Sequence, residues 1–335
     1  MIDTVEFMDF YKRRVVLVTG AAGTIGSALA ERLSLSKAAA IRLLDNNETG
    51  LFDLERELHS RKIRTFVGDI RDKERLTRAF EGVDVVFHCA ALKHVPLCEY
   101  NPFEAAKTNV FGTQNVIEAA LDKEIGSVVL ISTDKTVNPS NVMGATKLVA
   151  ERLIIAANEY KGKHMTKFSC ARFGNVLDSR GSVLPIFRDQ VTQGGPLTLT
   201  DRKMTRFVMT IADAVGLILT AGATSKAGEI YVPKLASLNV IDLAEAMIEL
   251  LASEDGYRPG DIELIETGKR KGEKMYEELM TKEEANCACD AGIYFVLNSH
   301  DDACKQADSP VYNSKDAKKL TKDEIIQLLK KIYYA

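Results

Sequence analysis

The sequence lacks an excess of either charge, a long apolar run and paired cysteines, and each absence removes a class of function. Its 335 residues carry 44 Lys+Arg against 47 Asp+Glu, a formal charge of −3. No basic field therefore exists to hold a nucleic acid or an anionic membrane surface. An anionic ligand must be gripped locally, by backbone amides and a few placed cations. The longest apolar stretches, such as residues 83–92, are interrupted by Asp84 and His88, whereas a membrane-spanning helix needs roughly 20 apolar residues. In the first fourteen positions Asp3, Glu6 and Asp9 precede Lys12, Arg13 and Arg14, the wrong charge order for a secretory signal. Cys89, Cys98, Cys170, Cys287, Cys289 and Cys304 do not fall into the paired spacing of a zinc site. They read as free thiols of a reduced, cytoplasmic protein without metal. Hydrophobic residues at 46% and charged residues at 27% give an ordinary globular balance, and the expected partner is a small molecule.

What is present is a strict alternation of strand and helix patterns. Short β-branched runs predict strands at Val15–Val18, Ile41–Leu44, Ile63–Val67, Val83–His88, Ser127–Ser132 and Lys167–Phe173. Between them lie helical patterns through 28–35, along the Leu51, Leu54, Leu58 stripe, and near 73–80, 102–121 and 142–160. Such alternation requires right-handed crossovers, which build a parallel sheet covered on both faces. The expectation is an α/β, doubly wound parallel sheet over residues 1–175. A smaller α/β substrate lobe is expected over 176–335, from which the chain is able to return to the first domain. In that lobe helices are expected near 210–221, 240–251 and 274–280. The capping-box pattern Thr321-Lys322-Asp323-Glu324 opens a last helix with Leu328, Leu329 and Ile332 on its apolar face.

Directly after the first strand comes Thr19-Gly20-Ala21-Ala22-Gly23-Thr24-Ile25-Gly26. Glycines at these places let the backbone turn tightly and approach a pyrophosphate, which the following helix N-terminus stabilises. The bland alternative is a plain βαβ packing turn. Asp45 ends the second strand, where a carboxylate accepts from a ribose 2′-hydroxyl and repels a 2′-phosphate. That favours NAD, with NADP as the alternative because Asn46 and Asn47 accommodate either. Asp69, followed by Ile70, falls either beside the adenine edge or at the N-cap of the next helix. The whole pattern is Rossmann-like.

Gly-x-x-Gly-x-x-Gly spacing resembles the extended short-chain dehydrogenase/reductase superfamily, whose members act mostly on nucleotide-activated sugars. Ser132-Thr133-Asp134-Lys135 lies at the carboxyl end of the fifth strand, where open α/β sheets bind ligands. The next helix carries Met143 and Lys147, four apart and so on one face. The superfamily's corresponding pair is Tyr-x-x-x-Lys, with tyrosine as the base for a sugar hydroxyl; here the lysine is kept and methionine, which cannot transfer a proton, holds the tyrosine position.

Longer motifs resemble one branch, the polysaccharide-biosynthesis UDP-N-acetylglucosamine 4,6-dehydratases. They are Cys89-Ala90-Ala91-Leu92-Lys93-His94-Val95-Pro96, Thr108-Asn109-Val110-Phe111-Gly112-Thr113, Ser132–Lys135 with Asn141–Lys147, Arg172–Val176, Met204–Phe207, Val232-Pro233-Lys234 and Gly268–Lys274. The resemblance covers about residues 8–330. It departs at Lys271, where the branch usually has proline. It implies that the enzyme oxidises the sugar at C4, eliminates water across C5–C6 and returns the hydride to C6. The cofactor is tightly bound and regenerated each turnover. By the same resemblance Lys135 is the C5 base, Asp134 the acid for the leaving hydroxyl, Thr133 a partner of the 4-hydroxyl, and Lys147 a partner of the nicotinamide ribose.

Gly20, Gly23, Thr24, Ile25, Gly26, Asp45, Asn46, Asp69, Ile70, Ala90, Ala91, Lys93, Asn109 and Lys147 are the implied cofactor residues. Lys93, His94, Asn175, Arg206, Arg270 and Glu273 are the implied UDP-sugar residues, although Lys93, His94, Arg206, Arg270 and Glu273 also read as surface positions. To act as a base Lys135 must be neutral, and desolvation with neighbouring cations is expected to lower its pKa. Val232–Lys234 and Tyr312-Asn313-Ser314 resemble the members of the branch that invert C5, and the resemblance implies a homo-oligomer through helices near 102–121 and 142–160. Two other readings stay open: a UDP-hexose 4-epimerase, and a non-catalytic NAD-sensing binding protein.

Overall fold

A computed structural model describes residues 5–269, 272–298 and 312–334. The β-branched runs form β1 (Val15–Thr19), β2 (Ala40–Asp45), β3 (Ile63–Val67), β4 (Val85–His88), β5 (Ser127–Thr133) and β6 (Lys167–Phe173). They are followed by β7 (Asn175–Val176), β8 (Leu197–Leu199), β9 (Thr205–Met209), β10 (Ile230–Pro233), β11 (Ser237–Asn239), β12 (Leu264–Glu266), β13 (Cys289–Asp290) and β14 (Tyr294–Leu297). One sheet takes nine of these in the order β13-β14-β10-β6-β5-β4-β1-β2-β3. From β3 to β10 the pairing is parallel, and β14 and β13 close the edge antiparallel. The chain order reverses between β1 and β4, which is where an open α/β sheet leaves a crevice at the strands' carboxyl ends.

Period two along β1 sorts its side chains into two layers. Val16 and Val18 pack with Leu29, Ala30 and Leu33 of helix Thr24–Ser34, while Leu17 faces Val116, Ile117 and Ile154 on the other side. This is the doubly wound α/β architecture, with apolar cores on both faces. A third core gathers Leu184, Phe187, Leu243, Met247, Ile325 and Leu329 from helices Val183–Thr192, Val240–Leu251 and Lys322–Tyr333. Around it lie the three-stranded sheet β11-β9-β7 and the pair β12-β8. Three strands from the later half of the chain, β10, β13 and β14, rejoin the large sheet.

Several expectations need correction. No helix forms over 274–280; the segment is irregular and only Lys282–Asn286 is helical. Its backbone bonds outward instead: Met275 O accepts from Thr205 N, Glu277 O from Ser314 N, and Leu279 N donates to Tyr312 O. The helix expected through 102–121 is interrupted by a π turn at Lys107–Phe111, flanked by Pro102–Ala106 and Gly112–Asp122, the kind of irregularity found at functional sites. A Cβ at Gly112 would meet Ile70 Cδ1 at 2.6 Å. Cys289 is disulfide-bonded rather than a free thiol, whereas Cys89, Cys98, Cys170 and Cys287 are free. The Thr321 capping box forms as read, with Thr321 Oγ1 accepting from Glu324 N and Glu324 from Thr321 N.

One buried ion network ties the two halves together. Arg172, at the end of β6, donates to Glu151 of helix Val142–Tyr160 at 2.5 and 3.1 Å and to Glu284 at 2.8 and 2.9 Å. Its Nη1 also reaches Leu279 O, and Ser132 Oγ donates to Glu151. Removing one partner of such a buried pair costs about 3–5 kcal/mol, because the other charge is left uncompensated. The irregular segment before Glu284 is thereby clamped against the carboxyl ends of β5 and β6. Among the described residues, no helix is long and apolar enough to cross a membrane.

Candidate active site

Two cavities open at the carboxyl ends of the parallel strands. The larger, about 750 Å³, runs from the glycine turn across the sheet to Thr133 and Lys147. Gly20 adopts φ +66°, and a Cβ there would lie 2.6 Å from Ala90 N; one on Gly26 would lie 2.2 Å from Gly20 O. Only glycine permits this close approach. Gly23 caps helix Thr24–Ser34 without any side-chain bond to its first-turn amides, so those donors stay available for a pyrophosphate. Gly20, Gly23, Thr24, Ile25, Gly26, Asp45, Asn46, Asp69, Ile70, Ala90, Ala91, Lys93 and Lys147 all line this cavity. A cradle of this shape and chemistry fits a nicotinamide dinucleotide.

Asp45 lines the cavity, and its carboxylate accepts from Ala22 N and Asn47 N, both at 2.9 Å, and so holds the glycine turn in place. Asp69 lines the cavity but is not an N-cap, because Asp72 caps the following helix. Its carboxylate is taken by Arg71, whose guanidinium holds it below the usual carboxylate range. Asn109 stands behind the cavity wall rather than on it. Its amide is spent on Leu92 N and O and on Thr146 Oγ1, so it shapes the 90–94 loop. Segment 179–182 closes over the turn: Arg180 N donates to Thr24 Oγ1, Arg180 Nη1 to Ala22 O, and Lys93 Nζ to Arg180 O.

At the end of β5 the chemistry-bearing groups converge. Thr133 Oγ1 and Lys135 Nζ both donate to Asp134 Oδ1, at 2.8 and 2.9 Å. Asp134 is 0% exposed and its Oδ2 has no partner. Lys135, 25% exposed, sits where the two cavities meet and also lies 3.6 Å from Glu277 Oε1. Burial works against its charge, but Asp134 and then Glu277 outweigh it, so its pKa is raised. The expected lowering is corrected: two buried carboxylates hold Lys135 as an ammonium.

The next helix approaches this turn closely, since a Cβ on Gly144 would meet Lys135 O at 2.4 Å. Met143 packs with Cys98 and Ala105 and lines the larger cavity. One turn on, Lys147 donates to Ile131 O at 2.5 Å, and burial pulls its pKa down to about 8.

The second cavity, about 370 Å³, is lined by Lys93, His94, Asn175, Arg206, Glu273 and Glu277 among others. Asn175 Nδ2 donates to Phe207 O. Arg206 spans the backbone carbonyls of Thr205 and Lys274 and faces Glu273 at 3.6 Å and Glu277 at 3.7 Å. Arg270, and Lys271 beside it, lie outside the described residues. Sequence reasoning missed Arg180 and Glu277. Neither stands in a spacing pattern of its own, and only the fold brings them to the cavities.

A fold of this topology with a glycine cradle, a Thr-Asp-Lys turn and a lysine one helical turn past the tyrosine position defines a nucleotide-sugar enzyme of the short-chain dehydrogenase/reductase kind. The chain belongs to the polysaccharide biosynthesis protein family, whose profile matches residues 16–299.

It is 55% identical to the uncharacterized membrane protein MJ1061 of Methanocaldococcus jannaschii over 98% of this chain and 99% of that one. It is 36% identical to the UDP-N-acetylglucosamine 4,6-dehydratase (inverting) of Campylobacter jejuni, over 86% and 84% of the two chains. It is also 35% identical to a UDP-glucose 4-epimerase of Rickettsia felis over 96% of each. Of two longer relatives it spans just under half, 46% and 48% of their length.

Among solved structures, Pen from Bacillus thuringiensis superposes with a TM-score of 0.92 at 41% identity, covering 96% and 98% of the chains. The dTDP-glucose 4,6-dehydratase DesIV from Streptomyces venezuelae, solved with NAD and TYD bound, gives 0.69 at 26% identity over 78% and 86%.

Lys147 yields a prediction on stability. Its folded pKa of about 8 lies below the ordinary 10.5, so between these values the unfolded chain binds the extra proton and raising pH favours the fold. In denaturant titrations, the unfolding free energy of wild type relative to Lys147→Met should rise from pH 8 to 10.5. The full swing is on the order of 3 kcal/mol at about 1.4 kcal/mol per pKa unit. A difference that stays flat over this window contradicts a desolvated lysine.

Proposed function

We propose that the protein is a UDP-N-acetylglucosamine 4,6-dehydratase using NAD as a cofactor that is held through turnover. The observation that carries this reading is the Thr133–Asp134–Lys135 turn at the junction of a dinucleotide-shaped cavity and a second cavity lined by Arg206, Glu273 and Asn175. The dinucleotide supplies the acceptor, and later the donor, of a hydride. Lys147 sets its ribose, and Asp45 favours a free 2′-hydroxyl. Arg206 and Lys93 offer cations to a diphosphate, and the backbone around Asn175 shapes the sugar end.

The missing phenol is replaced by a relay. Thr133 already gives its own hydrogen to Asp134, so its oxygen is left to accept from the sugar's 4-hydroxyl. As C4 is oxidised, that proton passes through Thr133 to Asp134, a buried carboxylate with one unpartnered oxygen. Met143, an apolar wall, then needs no proton. Asp134, fully enclosed, acts through Thr133 and Lys135 rather than by touching the sugar. A 4-epimerase would need only the oxidation and its reversal. The charged Lys135–Glu277 pair on the substrate side favours a reaction that also moves protons at C5 and C6.

Incubation with UDP-N-acetylglucosamine should yield a product lighter by one water, with no reduced cofactor added; unchanged mass contradicts the reading. Lys135→Ala should abolish turnover while the purified variant retains its dinucleotide, and full activity would remove Lys135 from the chemistry.

We also infer a second copy over the helices Val95–Tyr100, Pro102–Ala106 and Gly112–Asp122 and the π turn between them. Leu97, Tyr100, Phe103 and Phe111 stand there exposed, Tyr100 at 87%, an apolar face that monomers rarely leave bare. Light scattering should give a dimer or larger assembly, broken by Phe103→Glu; a monomeric wild type contradicts it.

A further inference from the structure

We propose that Arg180 is a positioning residue that retains the dinucleotide: it latches residues 179–182 as a strap across the glycine turn, and the latch must open for the cofactor to enter or leave. This rests on the reading of the larger cavity as a dinucleotide site and deepens it. Arg180 N donates to Thr24 Oγ1 at 3.1 Å, and Arg180 Nη1 to Ala22 O at 2.9 Å. Ala22 and Thr24 stand on either side of Gly23, whose helix keeps its first-turn amides available for a pyrophosphate. From the 90–94 loop, Lys93 Nζ donates to Arg180 O at 2.7 Å. One residue is thereby tied to the glycine turn and to that loop at once, while its neighbours Ser179, Gly181 and Ser182 line the larger cavity.

The strap has fixed ends and a middle that opens. Before it Leu177 N donates to Met209 O, and after Ser182 the helix Val183–Thr192 begins. In between, Asp178 and Gly181 take left-handed φ values of +58° and +73°, and Ser182 N turns back to Ser179 O. A Cβ on Gly181 would meet His94 Cε1 at 2.5 Å, so the strap lies close against the 90–94 loop. Asp178-Ser179-Arg180-Gly181-Ser182 has no apolar side chain, and hydrogen bonds rather than core packing hold it shut. Water replaces such bonds at small net cost, which is the character of segments that open and close over a ligand.

Substrate exchange needs no such opening. The second cavity touches the strap at Gly181 and Ser182 but is lined by neither Ala22 nor Thr24. A nucleotide sugar therefore comes and goes on that side with Arg180 latched, while the dinucleotide stays. A cofactor that takes a hydride and gives it back within one turnover must not escape between the two transfers, and the latch supplies that retention. All three anchors are bonds within the chain, so the latch has the same partners whether or not the cavity is filled. Breaking it speeds entry and release alike and leaves affinity nearly where it was.

The test follows NADH on the full purified chain by its fluorescence, with entry read on mixing with dinucleotide-free protein and release read on a chase with excess NAD. Arg180→Ala should speed both by about 5–30-fold, the factor for a lost anchor of ordinary strength, and should move Kd less than either rate. Thr24→Val keeps the shape of its side chain but removes the acceptor of Arg180 N, and should speed both in the same direction. Arg180→Lys, which keeps a donor for Ala22 O, should restore most of the slow exchange; a merely structural loss would not be restored. Wild-type rates in Arg180→Ala and Thr24→Val overturn the latch. Faster release with unchanged entry also overturns it, because Arg180 is then an ordinary contact of the ligand. A wild type that binds no NADH removes the dinucleotide reading itself, and this proposal with it.

Discussion

A lysine ammonium largely withdrawn from water is stable only where negative charge meets it, and that constraint organises this molecule. Lys135 finds its partners from two distant stretches: Asp134 beside it in sequence, and Glu277 from a segment that crosses from the later half of the chain. For Glu277 to arrive, residues 273–279 must give up helix formation and bond to neighbours instead, which they do through Thr205, Tyr312 and Ser314. The Arg172–Glu151–Glu284 network fixes the end of that segment to β6 and to helix Val142–Tyr160. The Arg172–Glu151 pair is buried, so it does not tolerate a missing member cheaply. The two halves are held in register by electrostatics as well as by apolar packing.

Under the proposed reading the same arrangement accounts for methionine at the tyrosine position, because a threonine that donates its hydrogen to a buried aspartate would take a hydroxyl proton in place of a phenol. Met143 fills space against Cys98 and Ala105 and presents an apolar side chain to the larger cavity. Lys147, weakened as a cation by burial, remains tied to Ile131 O and so fixed in direction. The dinucleotide cradle is similarly prebuilt: Asp45 braces the glycine turn, and Asn109 braces the 90–94 loop, before any ligand arrives.

Much of this was legible in the chain. Strand–helix alternation, the glycine turn and the Thr321 capping box depend on local preferences, and β2, β3, β5 and β6 run within a residue or two of the predicted runs. Residues 132–135, 143 and 147 lie on consecutive elements, so their convergence follows from topology. What escaped was whatever tertiary contact alone decides. Glu277 sits in a Glu-Glu pair with an amphipathic look, and local pattern favours a solvated helix there; only the partners in space reveal a buried carboxylate. Desolvation and neighbouring cations, read from the sequence, favour a neutral Lys135; the carboxylate of Glu277, distant in sequence, is what that reading lacks. Arg180 and the π turn at Lys107–Phe111 carry no local signature, and Asn109, expected to face the cofactor, is consumed by the loop behind it. The disulfide at Cys289 likewise has no spacing that announces it.

Two buried carboxylates, Asp134 and Glu277, keep Lys135 charged. Carbon-13 NMR of side-chain-labelled lysines, with the Lys135 signal assigned by its loss in Lys135→Arg, reads that charge directly. The account predicts that the Lys135 signal titrates above the range of an exposed lysine and moves downward when Glu277 is replaced by glutamine. A Lys135 signal already neutral near pH 7 would contradict it.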